Sequence, residues 1–106
     1  MNDNQTDEIL IGLTTVSKKD EATSLVEKLL ELNLIACGQI EGPILSAYKW
    51  NNKTEREKEW RISLKFPVKK KESLTRKIKE IHPYQIPQWI ILTGQSTREY
   101  CDWVNQ

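Results

Sequence analysis

Ile9-Leu10-Ile11-Gly12-Leu13-Thr14-Thr15-Val16 sets apolar side chains at consecutive positions, in a stretch rich in branched residues. Such a run reads as a β-strand, and because successive strand side chains point to opposite faces, both faces are expected to be covered. A small antiparallel sheet with helices on one side covers only one of them. The other face therefore has to be hidden by something else.

Outward from this strand, Ser17 is a candidate helix cap with Asp20 as its acidic partner three residues on. Ala22, Leu25, Val26, Leu29 and Leu30 then recur at helical spacing, which predicts a helix from about Lys18 to Asn33. A second strand is expected from Leu34-Ile35-Ala36-Cys37, bent at Gly42-Pro43 and resuming through Ile44 to Trp50. Asn51-Asn52-Lys53-Thr54 supplies turn chemistry. The third strand alternates strictly: Trp60, Ile62, Leu64 and Phe66 on one face, Glu59, Arg61, Ser63 and Lys65 on the other.

A second helix is predicted over Lys69 to Ile81, ended by Pro83, which disfavours helical geometry at His82. Trp89-Ile90-Ile91-Leu92-Thr93 reads as a fourth strand, again apolar on both faces, and Thr97 to Trp103 as a closing helix. The order βαββαβ makes this an α+β chain of ferredoxin-like type, an antiparallel sheet with both main helices on one face and a short C-terminal helix added. A monomer would expose a large apolar patch, so self-association is expected.

At 106 residues the chain allows one domain, which buries roughly 60 to 70% of its unfolded surface. We expect a polar leader over residues 1–7 and the folded domain over residues 8–106. A formal net charge of +1 argues against a nucleic-acid binder, and no apolar run approaches the ~20 residues of a membrane-spanning helix. Two cysteines and a polar, acidic start point to a cytoplasmic protein. Phosphate-binding glycine loops, paired-cysteine zinc patterns and nucleophile elbows are missing, and catalysis is not expected.

Three kinds of residue carry possible chemistry. Cys37 is either a small buried residue or a thiolate ligand for a soft metal. His82, the one histidine, lies in the proline-stiffened His82-Pro83-Tyr84-Gln85-Ile86-Pro87, where it either caps the preceding helix or serves as ligand or proton carrier. Trp50 and Tyr84 stand beside turns, with Glu59 and Lys65 on the polar side of the third strand. They are either core edge and cross-strand charges, or the lining of a cleft for a small organic ligand between subunits.

In combination, Thr14-Thr15, Glu21-Ala22, Leu34-Ile35-Ala36-Cys37, Ser46-Ala47-Tyr48-Lys49-Trp50, Glu59-Trp60, Leu64-Lys65, His82 to Pro87 and Tyr100-Cys101-Asp102-Trp103 resemble the CutA divalent-cation tolerance family. The resemblance implies a homotrimer with its sheets around the three-fold axis and helices outside, binding copper or similar divalent ions. Cys37 and His82 match the family's candidate ligands, and Glu59 a strand acid that could join them. Where many members carry glutamates, Gln85 and Gln88 stand here, which removes hard oxygen donors and favours softer ions.

Overall fold

The computed structural model describes residues 7–106, and residues 1–6 of the expected leader lie outside the described residues. Asp7, placed in that leader by its polarity, is tied in: its carbonyl accepts the Ser96 amide and its carboxylate the Arg98 guanidinium at 2.7 Å. The elements are β1 (Glu8–Val16), α1 (Lys19–Glu31), β2 (Cys37–Trp50), β3 (Lys53–Phe66), α2 (Lys71–Ile81, after a 3-10 turn at Val68–Lys70), β4 (Ile90–Gln95) and α3 (Arg98–Val104). All sheet pairs are antiparallel in the order β2-β3-β1-β4, so the ferredoxin-like α+β expectation holds.

Even-numbered β1 residues face the helices. Leu10 and Val16 join Ile62, Leu64 and Phe66 of β3, Leu25, Val26 and Leu29 of α1, and Leu74 and Ile78 of α2 in one core. Each of these large side chains stabilises the fold by roughly 1.5–3 kcal/mol through burial. Gly12 sits in the same layer with no Cβ because Trp89 occupies the space: a Cβ there would lie 2.3 Å from the indole. That indole donates to Thr75 Oγ1 at 2.9 Å, which ties the entry of β4 to α2.

The opposite face is built by cross-strand rows. Cys37, Lys65, Ile11 and Leu92 form one, and Gln39, Ser63, Leu13 and Ile90 the next. Its Ile9 end is roofed by Cys101 and Val104 of α3. Ile90 and Leu92 remain 46% and 48% exposed.

Three local expectations change. Ser17 does not cap α1: the cap position is Lys18, and the Ser17 hydroxyl donates to Glu21 rather than reaching a helix amide. The helix also ends early, because Asn33 turns to φ 59 and closes it. Leu34 to Ala36 are a connector in which Ile35 plugs the core, and β2 starts only at Cys37.

The largest difference is in β3, which begins at Lys53 and not at Glu59. Asn51 and Asn52, both at positive φ, form a two-residue turn of the kind that closes hairpins. The paired strands Ile44–Trp50 and Lys53–Glu59 form an arm of about 20 Å, beyond a bulge between Glu41 and Ile44. Its consequence is a longest dimension of 55 Å against 27 and 22 Å in the other directions.

Candidate functional site

The most organised polar cluster forms where β1 ends, α1 begins and the loop after α2 returns. Thr14 is fully buried and His82 only 8% exposed. The Tyr84 amide donates to His82 Nδ1 at 3.0 Å, so Nδ1 carries the lone pair and Nε2 the hydrogen. Nε2 donates to the Thr15 carbonyl at 3.1 Å and lies 2.9 Å from Thr14 Oγ1. Both ring nitrogens are thus engaged, and either could take a metal only by giving up a partner.

By fixing the Tyr84 amide, His82 sets the loop so that the Tyr84 hydroxyl donates to Glu59 Oε2 at 2.7 Å. Glu59 is 7% exposed, although its strand parity put it with Arg61 and Lys65 on the polar side. Burial opposes its charge, but hydrogen bonds from Ser46, Tyr84 and Thr15, with His82 nearby, outweigh this and hold the carboxyl below the ordinary glutamate range. Burial likewise keeps His82 neutral below its usual range, more than the Thr15 carbonyl and the Glu21 and Glu59 carboxylates oppose it. Burial and the bond to Glu59 push the Tyr84 phenol well above the normal tyrosine value, so it remains a donor.

His82, Glu59 and Tyr84 are therefore brought together. Cys37 is not: it pairs with Lys65, six residues along β3 from Glu59, or about 20 Å. There the partly buried thiol neighbours Tyr100 of α3. Lys65 reaches Gln39 beside it. Trp50, 56% exposed, stands at the far tip of the arm. Among the described residues no three histidine, cysteine, aspartate or glutamate side chains converge as a metal site. Cys37, His82 and Glu59 do not make one within this chain.

Sequence reasoning missed Thr14, Thr15 and Ser46 as members of this cluster. Small hydroxyls in strands carry no pattern that separates them from ordinary strand residues. Only the pairing, with Thr14 opposite Ile62 and Ser46 opposite Glu57, places them beside His82 and Glu59.

Residues 10–106 match the family described as CutA1 divalent ion tolerance protein. The chain belongs to the CutA1 family. A CutA relative from Citrobacter koseri, a divalent-cation tolerance protein, is 31% identical over 110 residues, spanning 99% of this chain and 96% of its own length. The solved CutA from Synechococcus elongatus PCC7942 superposes with a TM-score of 0.89 at 35% identity, covering 95% of this chain and 90% of that one. The divalent ion tolerance protein CutA1 from Ehrlichia chaffeensis gives 0.88 at 33% identity, with 92% of each chain covered. The CutA1 match takes in the His82 loop, Glu59 and Cys37 alike, so the cluster and the distant thiol lie on one shared framework.

Proposed function

We propose that this CutA1 family chain works in divalent-cation tolerance as a non-enzymatic homotrimer that binds copper or a similar late divalent ion with donors from different subunits. The observation that carries it is the helix-free sheet face, where Ile11, Leu13, Ile90 and Leu92 are left partly open. Covering them with sister subunits removes apolar area from water at roughly 25 cal/mol per Å². Assembly is also what allows Cys37 of one copy to approach Glu59 or His82 of another, since one subunit holds them far apart. Thiolate, imidazole and a single carboxylate suit a soft or borderline ion.

The test joins mass and metal. Light scattering should return three times 12.4 kDa. Titration calorimetry with Cu(II) should show weaker binding for Cys37→Ser, Glu59→Gln and His82→Ala. A well-behaved 12.4 kDa particle removes the assembly, and unchanged affinity in all three variants removes the donors.

A second reading has one observation in its favour, the Tyr84 hydroxyl held on the buried Glu59 carboxylate with Ser46 and Thr15 close by. A cleft between subunits with these groups, Trp50 and Lys65 would suit a small organic ligand. Chelator-insensitive thermal shifts across a metabolite panel would favour it over metal. The two free thiols fit a reducing compartment, and we place the protein in the cytoplasm, to be checked by fractionation.

A further inference from the structure

The helix-free sheet face accounts for the exposure of Ile90 and Leu92, but a second apolar group stands apart from it, at the end of the β2–β3 ladder opposite the arm. Three segments meet there: the last turn of α1, the 3-10 turn that follows β3, and the C-terminal residues of α3. Val68 is 57% exposed, Trp103 46%, Leu30 44% and Leu32 40%. Leu30, Asn33, Pro67 and Trp103 line one open groove of about 250 Å³, and Leu32 and Val68 adjoin it as chain neighbours of Asn33 and Pro67. The group is therefore one patch drawn from three elements.

Lys69-Lys70-Lys71, the one run of three cations in the chain, is set into the same patch. The Lys70 ammonium donates to the Asn33 carbonyl at 2.7 Å and the Lys69 ammonium to the Asn105 carbonyl at 3.3 Å. Two of the three charges are thus pinned over the C-terminal ends of α1 and α3, where the helix carbonyls favour a cation. Lys71 opens α2 and is exposed. None of the three belongs to an ion pair among the described residues. Carboxylates close in sequence serve other surfaces: Glu31 lines a different groove with Glu27 and Ile81, Asp102 lies near Arg98, and Glu72 stands one turn ahead of Arg76. Among the described residues, Lys70 is the one charged side chain that lines the groove.

We propose that this end of the molecule docks on an anionic lipid bilayer, with Trp103, Val68, Leu30 and Leu32 entering the headgroup layer and Lys69, Lys70 and Lys71 meeting the lipid phosphates. An indole suits that boundary, because its ring is apolar while its N–H donates. Aliphatic side chains flanked by lysines are the composition of segments that lie in the interface plane. Charge of a single sign attracts an anionic surface without requiring a partner of matched shape, as a protein would be. The contact is superficial: among the described residues no helix is long and apolar enough to cross a membrane. It rests neither on metal binding nor on self-association.

The experiment is co-sedimentation of the full chain with vesicles of about two parts phosphatidylcholine to one part phosphatidylglycerol, compared with pure phosphatidylcholine. The natural chain should partition at least about tenfold more strongly onto the anionic vesicles. Lys71→Gln should lower that partition about fivefold, and Val68→Ser at least about threefold, both at exposed positions. Lys79→Gln, at the other end of α2, should change it less than about twofold, since it lies beyond a Debye length from the patch. Far-UV circular dichroism checks the fold of each variant.

Equal partition onto both kinds of vesicle, or none onto either, overturns the inference. So does anionic binding that Lys71→Gln and Val68→Ser leave unchanged. A loss from Lys79→Gln as large as that from Lys71→Gln also overturns it, because the attraction then belongs to the charge of the whole chain and not to this end.

Discussion

Replacing Tyr84 with Phe tests the polar cluster at its most informative bond. The change removes one oxygen and leaves the ring against His82, whose centroid is 5.1 Å away. What is lost is the hydroxyl donating to Glu59 Oε2 at 2.7 Å, a hydrogen bond to a charged acceptor of the kind that contributes about 1.5–3 kcal/mol. Glu59 keeps its interactions with Ser46 and Thr15, so we expect a loss at the lower end, about 1.5 kcal/mol. With a urea slope of about 1–3 kcal/mol/M, the midpoint should fall by roughly 0.5–1.5 M at fixed protein concentration.

The pH dependence separates this bond from simple packing. A carboxyl held below its ordinary range in the folded state contributes stability that is complete above its unfolded value. That contribution is lost as pH falls through the folded value. The gap between the natural chain and Tyr84→Phe should therefore be full above about pH 5 and narrow on acidification below it. Equal midpoints at neutral pH, or a gap that persists unchanged in acid, would refute the account of Glu59 as a charge held by Tyr84.

Further outcomes follow from other parts of the molecule. Gly12→Ala forces the Trp89 indole off its seat and away from Thr75, and should cost about 1–3 kcal/mol in denaturant melts with loss of tryptophan near-ultraviolet signal. Leu92→Lys puts a cation into the open sheet face and should shift light scattering toward the single-subunit mass while far-UV circular dichroism stays native. His82 is held neutral in the fold, so its contribution is present above about pH 6.5 and disappears as pH falls through its lowered value; histidine-edited NMR should show the Nε2–H tautomer at neutral pH. A spectrum with Nδ1 protonated would overturn the assignment.

The sheet and helices were legible because hydrophobic period does most of the work: Ile9 to Val16, Trp60 to Phe66 and the α1 stripe each state their own element. The first half of β3 was not legible, since Thr54-Glu55-Arg56-Glu57-Lys58 alternates in sign of charge and not in hydrophobicity, and a solvated turn looks the same. The proline-stiffened loop drew attention to His82 and Tyr84 separately, as metal ligand and cleft lining, and the bond that joins the Tyr84 amide to His82 Nδ1 carries no sequence signal. The burial of Glu59 was hidden by its strand parity, because the feature that encloses it is a loop more than twenty residues downstream. Nor does spacing along the chain reveal that Cys37 stands at one end of the β2–β3 ladder and Glu59 near its middle, opposite Ile44.

The bulge between Glu41 and Ile44 settles more than a bend. Before it, odd-numbered β2 residues pair with odd-numbered β3 residues; after it, even-numbered ones do. That single surplus residue decides that Tyr48 and Trp50 accompany Glu55 and Glu57 and that Leu45 and Lys49 accompany Arg56 and Lys58. A chain trimmed by one position at Gly42 or Pro43 would keep every side chain of the arm yet carry the aromatics on the wrong side of it.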